Sequence, residues 1–259
     1  SAENYGIREC AQLLEKYFRD LGCTTTEIVE TDGNPVVYGE YDAGAEKTVI
    51  VYMMYDTQPV AGENWISPPL EANLVDTPPF GKCIVARGAK NTKGPLRAFL
   101  NAMESIKAVG EELPVNLRFV VEGEEELGSP HLHQFMRGFK QKLNDATAVF
   151  LPGVFQDQKG KVGVFLGFKG MVYFELECSG KSWGKGPMEY DVHSSNKAWM
   201  DSPIWRMIHA LSTMTSKDGN RILVDKWYDN VEPPSEEDRR LVDRLANTFD
   251  EEMFKDMIR

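Results

Sequence analysis

The sequence is poor in metal-binding and cross-linking residues: it holds four histidines and four cysteines in 259 residues. No two cysteines form a CxxC pair. Cys10, Cys23, Cys83 and Cys178 are scattered through otherwise apolar segments. That pattern argues against a disulfide framework or a zinc knuckle and predicts free, buried thiols in a reducing compartment. Long apolar runs are also missing. The longest, such as Thr48–Met54, is far too short to cross a bilayer. No basic segment followed by an apolar stretch opens the chain, so no secretion signal is expected and the reading is a cytoplasmic protein. The opening is abrupt, with Ser1-Ala2-Glu3 leading almost directly into a helix, as if upstream residues had been trimmed. Positive charge is in deficit: 29 Lys and Arg face 40 Asp and Glu, for a net charge of −11. This disfavours nucleic acid and anionic membranes as partners, and its ordinary consequence is solubility. There is no internal repeat and no low-complexity linker.

With 42% hydrophobic and 27% charged residues, the chain has the composition of a globular protein able to bury a core. Its length allows two modest domains or one large one. Ile7, Cys10, Leu13, Leu14, Tyr17, Phe18 and Leu21 recur at helical spacing, and Gly22 is placed to close that helix. Val36–Tyr38 and Thr48–Met54 read as strands, the second apolar on both faces, as in a sheet covered by helices on each side. Lys93–Val109 is a second amphipathic helix, Val115–Val121 a strand, His131–Leu143 a helix and Ala148–Leu151 a short strand. Strands alternating with helices predict an α/β fold with a mainly parallel sheet.

The character of the chain changes near Lys159–Gly170. Beyond it, Met171–Cys178 alternates like a half-exposed strand, Ser202–Met214 reads as a helix, Arg221–Lys226 as a strand and Ser235–Phe249 as a charged helix. The division expected is an α/β domain over 1–163 and an α+β domain over 164–259.

Three loops follow three of the predicted strands, where open α/β sheets place their ligands. They are Met53-Met54-Tyr55-Asp56-Thr57-Gln58-Pro59, then Arg87-Gly88-Ala89-Lys90-Asn91-Thr92-Lys93-Gly94-Pro95, and Glu122-Gly123-Glu124-Glu125-Glu126-Leu127-Gly128-Ser129. With the later stretch Tyr190-Asp191-Val192-His193-Ser194-Ser195, and in this order, they resemble the M20 family of zinc-dependent aminopeptidases, carboxypeptidases, dipeptidases and deacylases. The resemblance runs from about Glu3 to the end. It implies a zinc-peptidase-like α/β domain, a second ferredoxin-like domain serving as lid and dimerisation unit, and hydrolysis of an amide by two zinc ions. In that mechanism the metals polarise the carbonyl and generate hydroxide while a glutamate moves the proton.

Residue by residue, the resemblance puts Glu125 at the general-base position and Glu126 at a metal-ligand position. It also implies substitutions at the other ligand positions. Met54 stands where the family has a histidine, Asn91 where an aspartate bridges both metals, and Gly153 where a later aspartate falls. Thr92 replaces the acidic neighbour of the bridging residue. A thioether is a poor zinc donor beside carboxylates, and a neutral amide supplies no charge to hold two dications together. Asp56 remains at a position that orients the histidine, and here it has none to orient. Tyr55 and Lys93 complete the cleft. His193 matches a position that reaches the substrate, in some members across a dimer. The family's last histidine and its return to the first sheet would fall beyond Arg259.

The other histidines carry less. His131 and His133 are two apart on a helix and face different ways, so they are not expected as replacement ligands. His209 lies on an amphipathic helix and reads as core or interface. Without the resemblance, Glu124–Glu126 reads as an acidic turn capping a helix.

These readings lead to no resident metal, where the family would use two zinc ions. The expected protein is an M20-like chain acting as a metal-free variant enzyme or a non-catalytic subunit. The alternative is an active M20 hydrolase in a ligand-substituted or truncated form. A small peptide or N-acyl amino acid is the ligand class implied. A sheet lacking its last strands would expose an edge, so a homo-oligomer or a second chain supplying the remaining half is the expected partner.

Overall fold

The computed structural model describes residues 6–78, 80–153 and 161–257. The sequence expectations at Lys159 and at both chain ends lie outside them. The chain divides into two compact units, Ser1–Phe168 and Lys169–Arg259, a few residues beyond the expected boundary at 163/164.

The first unit begins with α1 (Ile7–Leu21). Ile7, Ala11, Leu14, Phe18 and Leu21 are its buried residues, a three-and-four spacing that puts them on one face. Gly22 ends it in the left-handed conformation, its N–H bonding the Arg19 carbonyl while the Cys23 N–H reaches back to Phe18. A glycine takes that backbone region without steric cost. The strands β1 (Thr25–Val29), β2 (Val36–Tyr41), β3 (Thr48–Met54), β6 (Asn116–Glu122) and β7 (Ala148–Phe150) form a five-stranded sheet in the order β1-β2-β6-β3-β7. Between β3 and β6 the chain makes a separate antiparallel hairpin, β4 (Asn73–Asp76) with β5 (Lys82–Val85), and then α2 (Lys93–Ala108).

The sheet is mixed. β3 pairs in parallel with both β6 and β7, whereas β1–β2 and β2–β6 are antiparallel. The parallel centre was legible from β3, whose Val51 and Met53 are fully buried on one face while Ile50 and Tyr52 pack on the other. Strand β1 was not foreseen, because Thr25, Thr26 and Glu27 interrupt any apolar alternation.

Both faces of the sheet are covered. Val37, Tyr41, Leu117, Phe119 and Val121 meet α1 and α2, with Phe18 stacked on Phe119 at 4.5 Å between ring centroids. On the opposite face Val36, Tyr38 and Val120 meet Phe135 and Leu143. Those two come from α3 (Leu132–Gly138) and α4 (Lys140–Leu143), which break at Phe139 what the sequence reads as one helix. Burial of side chains of this size contributes roughly 1.5–3 kcal/mol each. No helix among the described residues is long and apolar enough to cross a membrane.

The second unit corrects three expectations. Met171–Cys178 forms no strand, and Arg221–Lys226 contributes only an isolated bridge between Thr215 and Ile222. Met171, Val172, Tyr173 and Phe174 are all exposed. Alternation alone does not make a strand, which needs a paired ladder and something to pack on. Among the described residues this unit therefore has no sheet, and the strands of a ferredoxin-like arrangement are not seen among them. It contains helices α5 (Pro203–Met214), α6 (Glu236–Ala246) and α7 (Glu251–Met257). Ser235 caps α6 in a reciprocal pair with Asp238, which fixes its start. The helix expected to run to Phe249 stops at Ala246.

Candidate functional site

The carboxyl ends of β3 and β6 lie side by side, with Met54 opposite Glu122 in the ladder. This register brings the loop after β3, the loop before α2 and the loop after β6 together, as open α/β sheets do. Met54 is buried at the last position of β3. The next residue, Tyr55, is also buried, and its hydroxyl donates to the Pro35 carbonyl at 2.6 Å. Asp56 is 1% exposed. Its two carboxylate oxygens accept the backbone N–H groups of Glu125 and Glu126, at 3.2 and 3.0 Å. Asp56 thus fixes the third loop through the main chain.

Glu126 is held by amides. Asn91 donates from Nδ2 to its Oε1 at 2.7 Å, and Gln58 donates from Nε2 to its Oε2 at 3.0 Å and to its backbone carbonyl at 2.8 Å. Thr92 turns away from the cleft, its hydroxyl donating to the Met54 carbonyl at 2.8 Å. The Lys93 amine donates to the Tyr55 carbonyl at 2.7 Å. The peptide bond between Asn91 and Thr92 is cis. Below the loop, the Tyr52 and Ser129 hydroxyls both donate to Oε1 of the buried Glu122, while its Oε2 has no partner among the described residues. Glu124 is taken up by His131 at 2.8 Å.

The electrostatics follow from this crowding. Burial pushes the Glu125 carboxyl up, and Glu126, Asp56 and Glu122 push it further the same way. Burial also raises Asp56, against the opposing pull of its backbone N–H donors. Glu122 is raised by burial more than its two hydroxyl donors lower it.

An acid whose folded pKa is raised contributes stability that is full in acid and is lost as pH rises through the folded value. The exposed Asp145, Asp218 and Asp238 are lowered by hydrogen bonds and act in the opposite sense, below the ordinary carboxylate range. Thermal stability should therefore rise on mild acidification from neutrality and fall again at strongly acid pH. Glu122→Gln, which removes the buried charge and keeps an acceptor for Tyr52 and Ser129, should melt higher than the parent at neutral pH. Its melting temperature should also change less between neutrality and about pH 5. A variant that melts lower at neutral pH would show that Glu122 is stable there as a charged group.

Eight of the residues singled out from sequence (Met54, Tyr55, Asp56, Asn91, Thr92, Lys93, Glu125 and Glu126) are brought together by these bonds and by adjacency in the loops. Gly153 joins Met54 and Glu125 in the lining of one cavity. His193 belongs to the second unit, where its Nδ1 accepts the Ser195 N–H at 3.2 Å and sits 2.9 Å from the Ser195 hydroxyl. Gln58 and Glu122 were not singled out. The first lies on the same loop as Asp56, and the second directly follows the buried run of β6, so both positions were visible but their contacts were not.

A family model described as "Peptidase family M20/M25/M40" matches residues 50–257. The chain belongs to this family. A human protein named Beta-Ala-His dipeptidase is 30% identical over 210 residues, covering 79% of this chain and 38% of the human protein. A Cys-Gly metallodipeptidase of Schizosaccharomyces pombe is 28% identical, covering 90% of this chain and 47% of that protein. The chain thus spans less than half the length of these relatives. Among solved structures, the M20 family metallo-carboxypeptidase Sso-CP2 from Sulfolobus solfataricus aligns with a TM-score of 0.77 at 32% identity, over 100% of this chain and 55% of that one. Human carnosine dipeptidase 1 aligns with a TM-score of 0.55 at 20% identity, a likeness of fold.

Membership in this family raises the question of zinc. The side chains facing Glu126 are two amides that present N–H hydrogens to it. A zinc ion at that carboxylate would need lone pairs there, from imidazole or carboxylate. Met54 supplies a thioether, Gly153 supplies no side chain, and Thr92 has spent its hydroxyl proton on a carbonyl. Among the described residues, no three or more His, Cys, Asp and Glu side chains form a group that could hold a metal ion. Of the anionic side chains at these positions, Glu126 and Asp56 both already accept hydrogen bonds from N–H donors.

Proposed function

We propose that this chain is an M20-type peptidase homologue in which the dinuclear zinc centre has been replaced by a hydrogen-bonded carboxylate–amide cluster. It serves as a non-catalytic, peptide-binding subunit. The observation that carries the reading is the double capture of Glu126 by Asn91 and Gln58. Without a metal to lower the pKa of water, the cleft has no hydroxide to deliver, and Glu125 has no activated nucleophile to deprotonate. The raised Glu125 carboxyl keeps the capacity for proton transfer, which is what a metal-free variant enzyme would use.

The names of the relatives support a small peptide as the ligand class, and an N-acyl amino acid of similar shape is the alternative that the family resemblance implies. His193 is the second-unit residue assigned to that ligand, and a second copy of this chain or another polypeptide is the partner. Free Cys10, Cys23, Cys83 and Cys178 support a reducing, cytoplasmic setting.

Elemental analysis of protein purified in zinc-supplemented buffer, combined with assays on dipeptides and N-acyl amino acids, tests this reading. The expected result is far less than one zinc per chain and no metal-dependent turnover. Two zinc ions per chain with chelator-sensitive hydrolysis would overturn it. That result would favour the reading in which the chain is an active M20 hydrolase.

A further inference from the structure

The carboxylates around the three loops differ in how they are satisfied. Asp56 receives two backbone N–H groups, Glu126 two side-chain amides, Glu122 two hydroxyls and Glu124 a histidine. Among the described residues, the Glu125 carboxylate has neither a hydrogen-bond donor nor a cation. The charges that act on it, those of Glu126, Asp56 and Glu122, are all negative.

Glu125 also lines a cavity of about 560 Å³ within the first unit, a volume in the range of small-molecule sites. Tyr52 and Met54 stand with it in the lining. Immediately behind Tyr52 lies Glu122, 1% exposed and with one carboxylate oxygen unpartnered. The remaining walls come from Val149, Phe150 and the 162–168 segment, where Val164 and Leu166 are 78% and 86% exposed. The cavity therefore combines apolar walls with one unpaired carboxylate in a negative field. An apolar body satisfies the walls, and only a positive head group satisfies the carboxylate.

We propose that this cavity binds a small primary amine with an aliphatic or aromatic body, its ammonium group seated against Glu125. The inference rests on the metal-free reading above, because two dications beside Glu126 would reverse the sign of the local field. An ammonium supplies three N–H donors to a group that lacks any. A carboxylate at the same end of the ligand would be repelled by the four acidic groups already there. Met54, in place of an imidazole, extends the apolar lining up to the charged end.

Calorimetric titration of the full chain with three molecules that share one body tests the inference: phenethylamine, 2-phenylethanol and 3-phenylpropionate. The amine should bind, the alcohol should bind at least tenfold more weakly, and the acid should not bind. Glu125→Gln, checked for folding by circular dichroism, should weaken the amine at least tenfold and leave the alcohol unchanged. Equal affinity for the amine and the acid, undiminished amine binding by the folded Gln variant, or no amine binding at millimolar concentration would each overturn the inference. The three-ligand comparison on the parent chain needs no variant, so it decides even if Glu125→Gln does not fold. Metal content measured on the same sample separates the two ideas. Metal-free protein that ignores the amine rejects only the amine site, whereas two zinc ions per chain reject the proposed function.

Discussion

Replacing Met54 by His, Asn91 by Asp and Gly153 by Asp in one protein should give a chain that retains at least one zinc ion through gel filtration, where the proposed function expects the parent to retain none. Each change puts a lone-pair donor where the structure has a thioether, an N–H donor or nothing. Asn91→Asp is central, because it removes the amide hydrogens that occupy Glu126 and adds a second anionic oxygen beside it. The backbone support is in place: Asp56 already fixes the loop carrying Glu125 and Glu126, and Asp56 stands two residues from the new histidine, where it can orient the ring. Zinc affinity should tighten by at least about a thousandfold, ~4 kcal/mol. Because imidazole and carboxylates must be deprotonated, the gain should fade in acid. Equilibrium dialysis with zinc measures this. A triple variant that folds and still holds no zinc would mean that these positions do not converge.

The second large effect concerns the loop that delivers Asn91. Gly94 lies in the first turn of α2, and a Cβ built there would sit 1.9 Å from the backbone oxygen of Ala89. No rotamer relieves a clash with main chain, so Gly94→Ala must push the 88–94 loop away from the helix. A cost of about 3 kcal/mol is expected, at the upper end for overpacking. In a unit of this size that lowers the melting temperature by roughly 6–12 °C. Asn91 should lose its bond to Glu126 at the same time, which a change in the Asn91 side-chain amide resonances would report. A Gly94→Ala chain melting within a degree or two of the parent would show that the loop has slack the packing does not reveal.

How far the sequence alone reaches differs between the sheet and the site. Strand β3 is apolar on both faces because helices cover both, and α1 carries its buried residues at regular spacing, so these elements were legible. Periodicity says nothing about Met171–Cys178, where alternating apolar residues are present and no ladder forms among the described residues. At the site, the three loops that meet were legible through the family pattern. The partners that the Glu126 carboxylate takes were not. Gln58 is a surface-type residue on a loop, and its contact with Glu126, 68 residues away, depends on β3 and β6 lying side by side. The unpartnered oxygen of Glu122 is likewise a property of packing, since any glutamate ending a strand looks the same in one dimension.

The hydrogen bonds from Glu125 and Glu126 to Asp56 carry a consequence for how such a cleft can change over evolutionary time. They run from main chain to a carboxylate, so the loop keeps its course whatever side chains hang from it and whatever ions are nearby. The path of this loop therefore does not depend on which donor side chains it carries. If the proposed function and the amine site both hold, a receptor for organic cations and a hydrolytic enzyme are separated by a handful of codons on one scaffold.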